Sequence, residues 1–176
     1  AKYKCYKERG RGHGHDVEGV PLIEDWCTTY KVPKSYKDLA KMVCEQHQKI
    51  HTVLGRGSNS NMRPKSIMKL FEQTSAISKP ERFIKMLKAC ESDSKGRISE
   101  NLSNEYLQAI YLKECLDAVI SLDTKSISKE MLAKGKSGVM IGEQIRVERI
   151  NTIRGVSNKW VNKKCLKTEA VRGSVG

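Results

Sequence analysis

The sequence predicts an all-α fold: a helical bundle followed by a smaller helical C-terminal segment. Three observations point there. Apolar residues recur at three- and four-residue spacing almost throughout. Strand-like alternation is scarce, and proline or glycine punctuates the chain where helices would start or stop.

The elements follow in order. Residues 1–12 are basic and irregular, with Gly10 and Gly12 as breakers. Val17–Tyr30 reads as a helix that closes at the Val32–Pro33 step, because a residue before proline is pushed out of the helical region. Ser35–Val53 reads as a second helix, and GRGSNSN at 55–61 as a loop. Pro64 opens a helix to about Ala76, since a first-turn proline has no intrahelical amide to lose. Ser78, as an N-cap, and Pro80 open the next helix, through about Cys90. Lys95–Asn104 is a loop and a candidate boundary. Glu105–Ile120 is an amphipathic helix, Lys125–Ala133 a short one, Gly135–Gly142 a turn, and Glu143–Ile153 the last helix. Residues 154–176 carry six basic residues and one acid and read as a fraying basic tail. The expected division is therefore 1–100, 101–155 and 156–176.

Composition narrows the function classes. With 38% hydrophobic residues in 176, the chain can bury a core. No apolar run approaches the roughly 20 residues that span a bilayer, and no charged-then-apolar leader opens the chain, so no membrane role is expected. The six cysteines form no CxxC pair and several sit in apolar helical patterns, which suits reduced thiols in a cytoplasm. The net charge of +13 implies a polyanionic partner, nucleic acid first. Two Phe and two Trp argue against a base-stacking platform.

The four histidines fall in two tight pairs. RGHGHD holds His13 and His15, and CEQHQKIHTVL holds His47 and His51. On a wheel with Leu39 at zero, Ile50, Val43 and Leu54 fall within about 60°, His47 near about 80° and His51 near about 120°. Both imidazoles thus border the apolar face, one turn apart, a spacing at which they can grip one ion or two adjacent ions. Gly12 and Gly14 let His13 and His15 converge, and Asp16 beside them can ligate or orient a ring. Asp93, at the exit of its helix, can reach a shared cavity. His13, His15, His47, His51 and Asp93 make an N/O ligand set suited to Ni, Co, Mn, Mg, Fe or Zn without selecting among them. The alternative is an inert set of surface or structural histidines.

Taken together, RGHGHDVEGVPLI, VPKSYKDLAKMVCEQHQKIH, MRPKSIMKLFEQ, KPERFIKMLKACESDSKGR and GKSGVMIGEQIRVERI occur in this order. Over about residues 10–155 the chain resembles the C-terminal half of bacterial CCA-adding tRNA nucleotidyltransferases that carry an HD phosphohydrolase domain. The resemblance implies an HD-domain-like bundle over 1–100, a helical tRNA-binding region over 101–155, and metal-dependent phosphatase and 2′,3′-cyclic phosphodiesterase activity in the full-length enzyme. By position, the family's HGHE-type segment falls on His13, Gly14, His15 and Asp16, with Asp for Glu. Its H-x3-H segment falls on His47 and His51, and its E-x-D-x-x-G-R segment on Glu91, Asp93, Gly96 and Arg97. Asp93 and Arg97 are then the catalytic candidates, with Arg97 or a lysine steadying charge on a phosphate. Gly138, Gly142, Glu143, Arg146 and Arg149 match a late glycine-then-arginine helix.

The family's HD doublet and its nucleotidyltransferase head have no counterpart in these residues, so this chain alone is expected neither to add CCA nor to be active as a phosphohydrolase. The implied partners are tRNA and a divalent metal. Arg146, Arg149, Arg154, Lys159, Lys163 and Lys164 are the RNA-binding candidates. The competing expectation is a non-catalytic structural module, and its apolar helix faces permit a homodimer.

Overall fold

Eight helices and no strand make up the described residues of the computed structural model, which are 2–10, 14–55, 61–96 and 105–172. They are α1 (Lys2–Arg9), α2 (His15–Thr29), α3 (Lys34–His51), α4 (Pro64–Thr74), α5 (Pro80–Lys95), α6 (Leu107–Ile120), α7 (Thr124–Ala133) and α8 (Gly138–Arg172). The all-α expectation holds. No helix among the described residues is long and apolar enough to cross a membrane.

Prolines set several starts as expected. Pro64 and Pro80 each sit in the first turn of their helix. Gly14, at φ 87, turns the chain into α2 through a left-handed conformation that favours glycine. At the other end of α2, Lys31 takes φ 50 and the chain extends into Pro33, which precedes α3.

Four expectations need correction. Residues 2–9 are helical, not irregular, and the Cys5 side chain is fully buried, its thiol 3.2 Å from a Glu18 carboxylate oxygen. Ser78 does not cap α5. Lys79 holds that position without a side-chain cap, and the Ser78 hydroxyl donates to the Ser75 carbonyl at 3.2 Å. The helix that starts α8 begins at Gly138, inside the expected turn. Most of the expected tail is not a tail either, because α8 runs on to Arg172. Ile153, Val156, Ser157 and Trp160 recur at i, i+3, i+4 and i+7, the stripe that a helix needs to stay docked. Charge had masked that stripe.

The core draws on both sides of the segment 97–104. Met42 and Ile50 of α3 join Ile67, Met68, Leu70 and Phe71 of α4 in one buried cluster. Phe83, Met86 and Leu87 of α5, Leu112, Leu116 and Val119 of α6, and Ile153 and Trp160 of α8 belong to the same cluster. Phe71 and Phe83 meet edge to face, with centroids 5.4 Å apart and planes at 87°. Tyr111 packs on Trp160 at 5.3 Å, and the two polar tips are satisfied. Tyr111 Oη lies 2.6 Å from Ser157 Oγ, and Trp160 Nε1 donates to Glu114 at 2.6 Å. Each fully buried large side chain contributes about 1.5–3 kcal/mol of transfer free energy, so the end of α8 is held by real burial. Asp123 caps α7, its carboxylate accepting from the Lys125 and Ser126 amides at 3.1 Å each.

Candidate functional site

The amphipathic face of α3 buries Met42, Gln46 and Ile50. His47 follows Gln46 around the wheel, half-buried, at the border between core and solvent. Helix α2 packs alongside α3, and its first residue, His15, meets His47 there. The two Nε2 atoms stand 3.1 Å apart, with ring centroids at 5.1 Å. His47 Nδ1 lies 2.8 Å from the Cys44 carbonyl and 3.2 Å from that of Val43. Carbonyls only accept, so in the neutral ring Nδ1 carries the proton and the Nε2 lone pair faces His15. The Gln48 amide nitrogen completes the group, 3.2 Å from His47 Nε2 and 3.5 Å from His15 Nε2.

One turn on, the His51 ring lies 5.9 Å from that of His47, nearly perpendicular to it. Its Nε2 is 2.9 Å from Asp93 Oδ2, brought in by α5. Its Nδ1 is 2.7 Å from the hydroxyl of Tyr106, which lies just before α6. A carboxylate accepts, so Nε2 donates to Asp93 and Nδ1 accepts from Tyr106. The His51 side chain is only 9% exposed and Asp93 is 51% exposed, so the chain of contacts runs from the interior to solvent.

The structure thus gathers His15, His47, His51 and Asp93 from α2, α3 and α5. Among the described residues, no group of three or more His, Cys, Asp or Glu side chains has the arrangement of a ready metal cage. His13 and Arg97 lie outside the described residues. The cysteines nearby offer no thiolate. Burial, then the Asp16 charge, raises the Cys44 thiol pKa, and burial pushes Cys90 up to about 12, with Asp93 adding to it. What remains is a set of N and O donors, the kind that takes divalent ions of intermediate hardness.

The six RNA-binding candidates separate by environment. Arg146 is engaged in a surface ion pair, with Nε 2.5 Å and Nη2 3.2 Å from the two carboxylate oxygens of Glu72. That pairing raises its pKa and ties α8 to α4. The Arg149 Nε is buried with no hydrogen-bond partner. Arg154 is exposed and donates to its helix neighbour Asn151 at 2.7 Å, and Lys159 is exposed. The backbone of Lys163 and Lys164 continues α8, and their side chains lie outside the described residues.

No family model matches the chain. It is 33% identical over 154 residues to the multifunctional CCA protein of Shewanella frigidimarina, an overlap of 88% of this chain and 34% of that protein. It is 34% identical over 151 residues to the multifunctional CCA protein of Tolumonas auensis, covering 86% of this chain and again 34% of the relative. The chain is homologous to part of the multifunctional CCA proteins. It spans about a third of the length of these relatives. No solved structure matches.

Two neighbours of the histidines carry little signal in the sequence. Gln48 sits at i+1 from His47, off its face on a wheel, and the approach of α2 adds His15 to His47 as a partner of its amide. Tyr106 reaches His51 across 55 residues of chain. Its one local signal is an aromatic residue at the entrance to a helix.

Proposed function

We propose that the chain is the phosphohydrolase and tRNA-holding part of a CCA-adding protein, acting in tRNA 3′-end maturation or repair. In the full-length enzyme its centre is a divalent-metal-dependent phosphatase and 2′,3′-cyclic phosphodiesterase site to which this chain brings His15, His47, His51 and Asp93. The observation that carries this reading is the 3.1 Å approach of the His15 and His47 Nε2 atoms from two helices. Two imidazoles on one ion, each about 2.1 Å from it, stand roughly 3–3.4 Å apart, so this donor pair fits such an ion. When bound, Ni, Co, Mn or Mg would supply Lewis-acid polarisation of a phosphate oxygen.

The remaining steps belong to the chain. His15 and His47 would hold the ion, and the contact of Nδ1 with the Cys44 carbonyl fixes the His47 ring, as outer partners of metal-binding histidines do. His51 keeps its proton on Nε2 against Asp93 and takes a hydrogen bond from Tyr106 on Nδ1, which makes it a proton carrier aligned at both ends. By their place in the sequence, His13 would join the donors and Arg97 would steady charge on the phosphate. Arg154, Lys159, Lys163 and Lys164 meet the tRNA backbone, with Arg149 beside them, in the cytoplasm.

The test is hydrolysis of 2′,3′-cyclic AMP by the purified chain with Ni²⁺, Co²⁺, Mn²⁺ or Mg²⁺ against EDTA. Turnover that needs metal and is lost in His47→Ala supports the reading. Turnover that survives EDTA or the mutation contradicts it.

One observation favours a second reading, a structural or dimerisation module with an inert cluster: each described histidine already has protein partners. Absence of turnover with every metal, together with a concentration-dependent dimer, would favour it.

A further inference from the structure

Gln46 and Ile50 of α3 are buried, and Gln48 between them points away from that core face at about 100° per residue. Its half-buried side chain reaches the gap between α3 and α2 instead. There its amide nitrogen stands 3.2 Å from His47 Nε2 and 3.5 Å from His15 Nε2. The two imidazole nitrogens are 3.1 Å from each other, so the three atoms form a nearly regular triangle. Donors held about 2.1 Å from one ion are about 3.0 Å apart in an octahedral shell and about 3.4 Å apart in a tetrahedral one. The triangle therefore has the size of one face of a coordination shell.

The atom at its third corner carries two hydrogens and has no lone pair to give. The oxygen of the same amide does have lone pairs. Both atoms sit on one planar carbon, and a half-turn about the last side-chain bond exchanges their places without any movement of the backbone. We propose that Gln48 is a third ligand of the His15–His47 pair, with Oε1 turned to a divalent ion when one is bound and the amide hydrogens turned to the imidazoles when none is. This role rests on the reading of the two histidines as a metal pair. All three donors are neutral, so the ion keeps its full double charge for a phosphate oxygen. They lie on one side of it, which leaves the opposite side for water and substrate.

Titration of the full chain with Co²⁺, followed by visible absorption and calorimetry, tests this without turnover. Gln48→Ala keeps a good helix former on α3. Co²⁺ affinity should fall about 10-fold or more in Gln48→Ala and return in Gln48→Glu, which keeps an oxygen at the same reach. Comparison with His15→Ala and His47→Ala shows which claim fails. Affinity lost in the histidine variants but unchanged or raised in Gln48→Ala overturns Gln48 as a ligand and leaves the pair standing. Affinity lost equally in Gln48→Ala and Gln48→Glu also overturns it, because the loss then does not follow the oxygen. Co²⁺ binding indifferent to both histidines overturns the pair, and the role of Gln48 with it.

Discussion

His51 and Asp93, on α3 and α5, are joined at 2.9 Å between Nε2 and Oδ2, and Tyr106 closes the far side of the same imidazole at 2.7 Å. The three groups come from three separate stretches of chain. A ring held at both nitrogens has one tautomer and one orientation, which is what a proton carrier needs.

Removing the phenol oxygen alone should therefore tell orientation from packing. Tyr106→Phe keeps the ring in its buried place. It should lower kcat for 2′,3′-cyclic AMP about 10-fold with little change in KM, and Asp93→Asn should lower it further, in line with general acid–base contributions of about 10²–10⁴. Steady-state kinetics on both variants checks this. An unchanged kcat in both would remove His51 from the chemistry.

Arg146 and Arg154 should part company in RNA binding. Arg146 is held by Glu72, so Arg146→Gln should cost under about 1 kcal/mol of stability and leave the salt dependence of tRNA affinity unchanged. Arg154→Gln and Lys159→Gln should each flatten the log K against log[salt] line by about 0.7–0.9. Filter binding across a salt series measures it. Flattening by Arg146→Gln alone would reverse the assignment.

Alkali should weaken the fold in a defined window. Burial holds Cys90, Cys115 and Tyr111 each up to about 12, with Asp93 adding to Cys90 and the Ser157 contact opposing the rise at Tyr111. Each group is neutral when protonated and binds its proton more tightly folded than unfolded. That stability is fully present below the unfolded values, near 9 for the thiols and 10 for the phenol, and is lost as pH rises toward about 12. Denaturation midpoints under reductant should fall from pH 9 upward, less steeply in Cys115→Ala. A midpoint that stays flat to pH 11 would count against this.

Phe83 tests the shared core. It is fully buried against Phe71, so Phe83→Ala should destabilise the chain by about 3–5 kcal/mol. Trp26→Ala, on an exposed side chain, should stay within about 0.5 kcal/mol. Urea unfolding of both variants gives the comparison, and similar losses would mean Trp26 is part of the core.

Much of the fold was legible where a residue type leaves the backbone little choice. Pro64 and Pro80 marked the starts of α4 and α5, and the apolar period of α3 put His47 and His51 on its edge. The end of α8 was not legible, because its six basic residues outnumber the four residues of its apolar-side stripe. The Asp123 cap went unnoticed, although an aspartate before a helix is the expected residue there. In the site, the pairing of His47 with His51 followed from one helix. The meeting of His15 with His47 and the contact of Tyr106 with His51 depend on how α2 and α6 pack, which no single stretch of sequence carries.

The central claim is that His15 and His47 form a divalent-metal pair. Titration of the full chain with Co²⁺, read by its visible absorption and by calorimetry, tests it without reliance on turnover. The account predicts one bound Co²⁺ per chain with imidazole coordination, weakened about 10-fold or more in both His15→Ala and His47→Ala and little changed in Trp26→Ala. Equal Co²⁺ binding by the wild type and both histidine variants would contradict it.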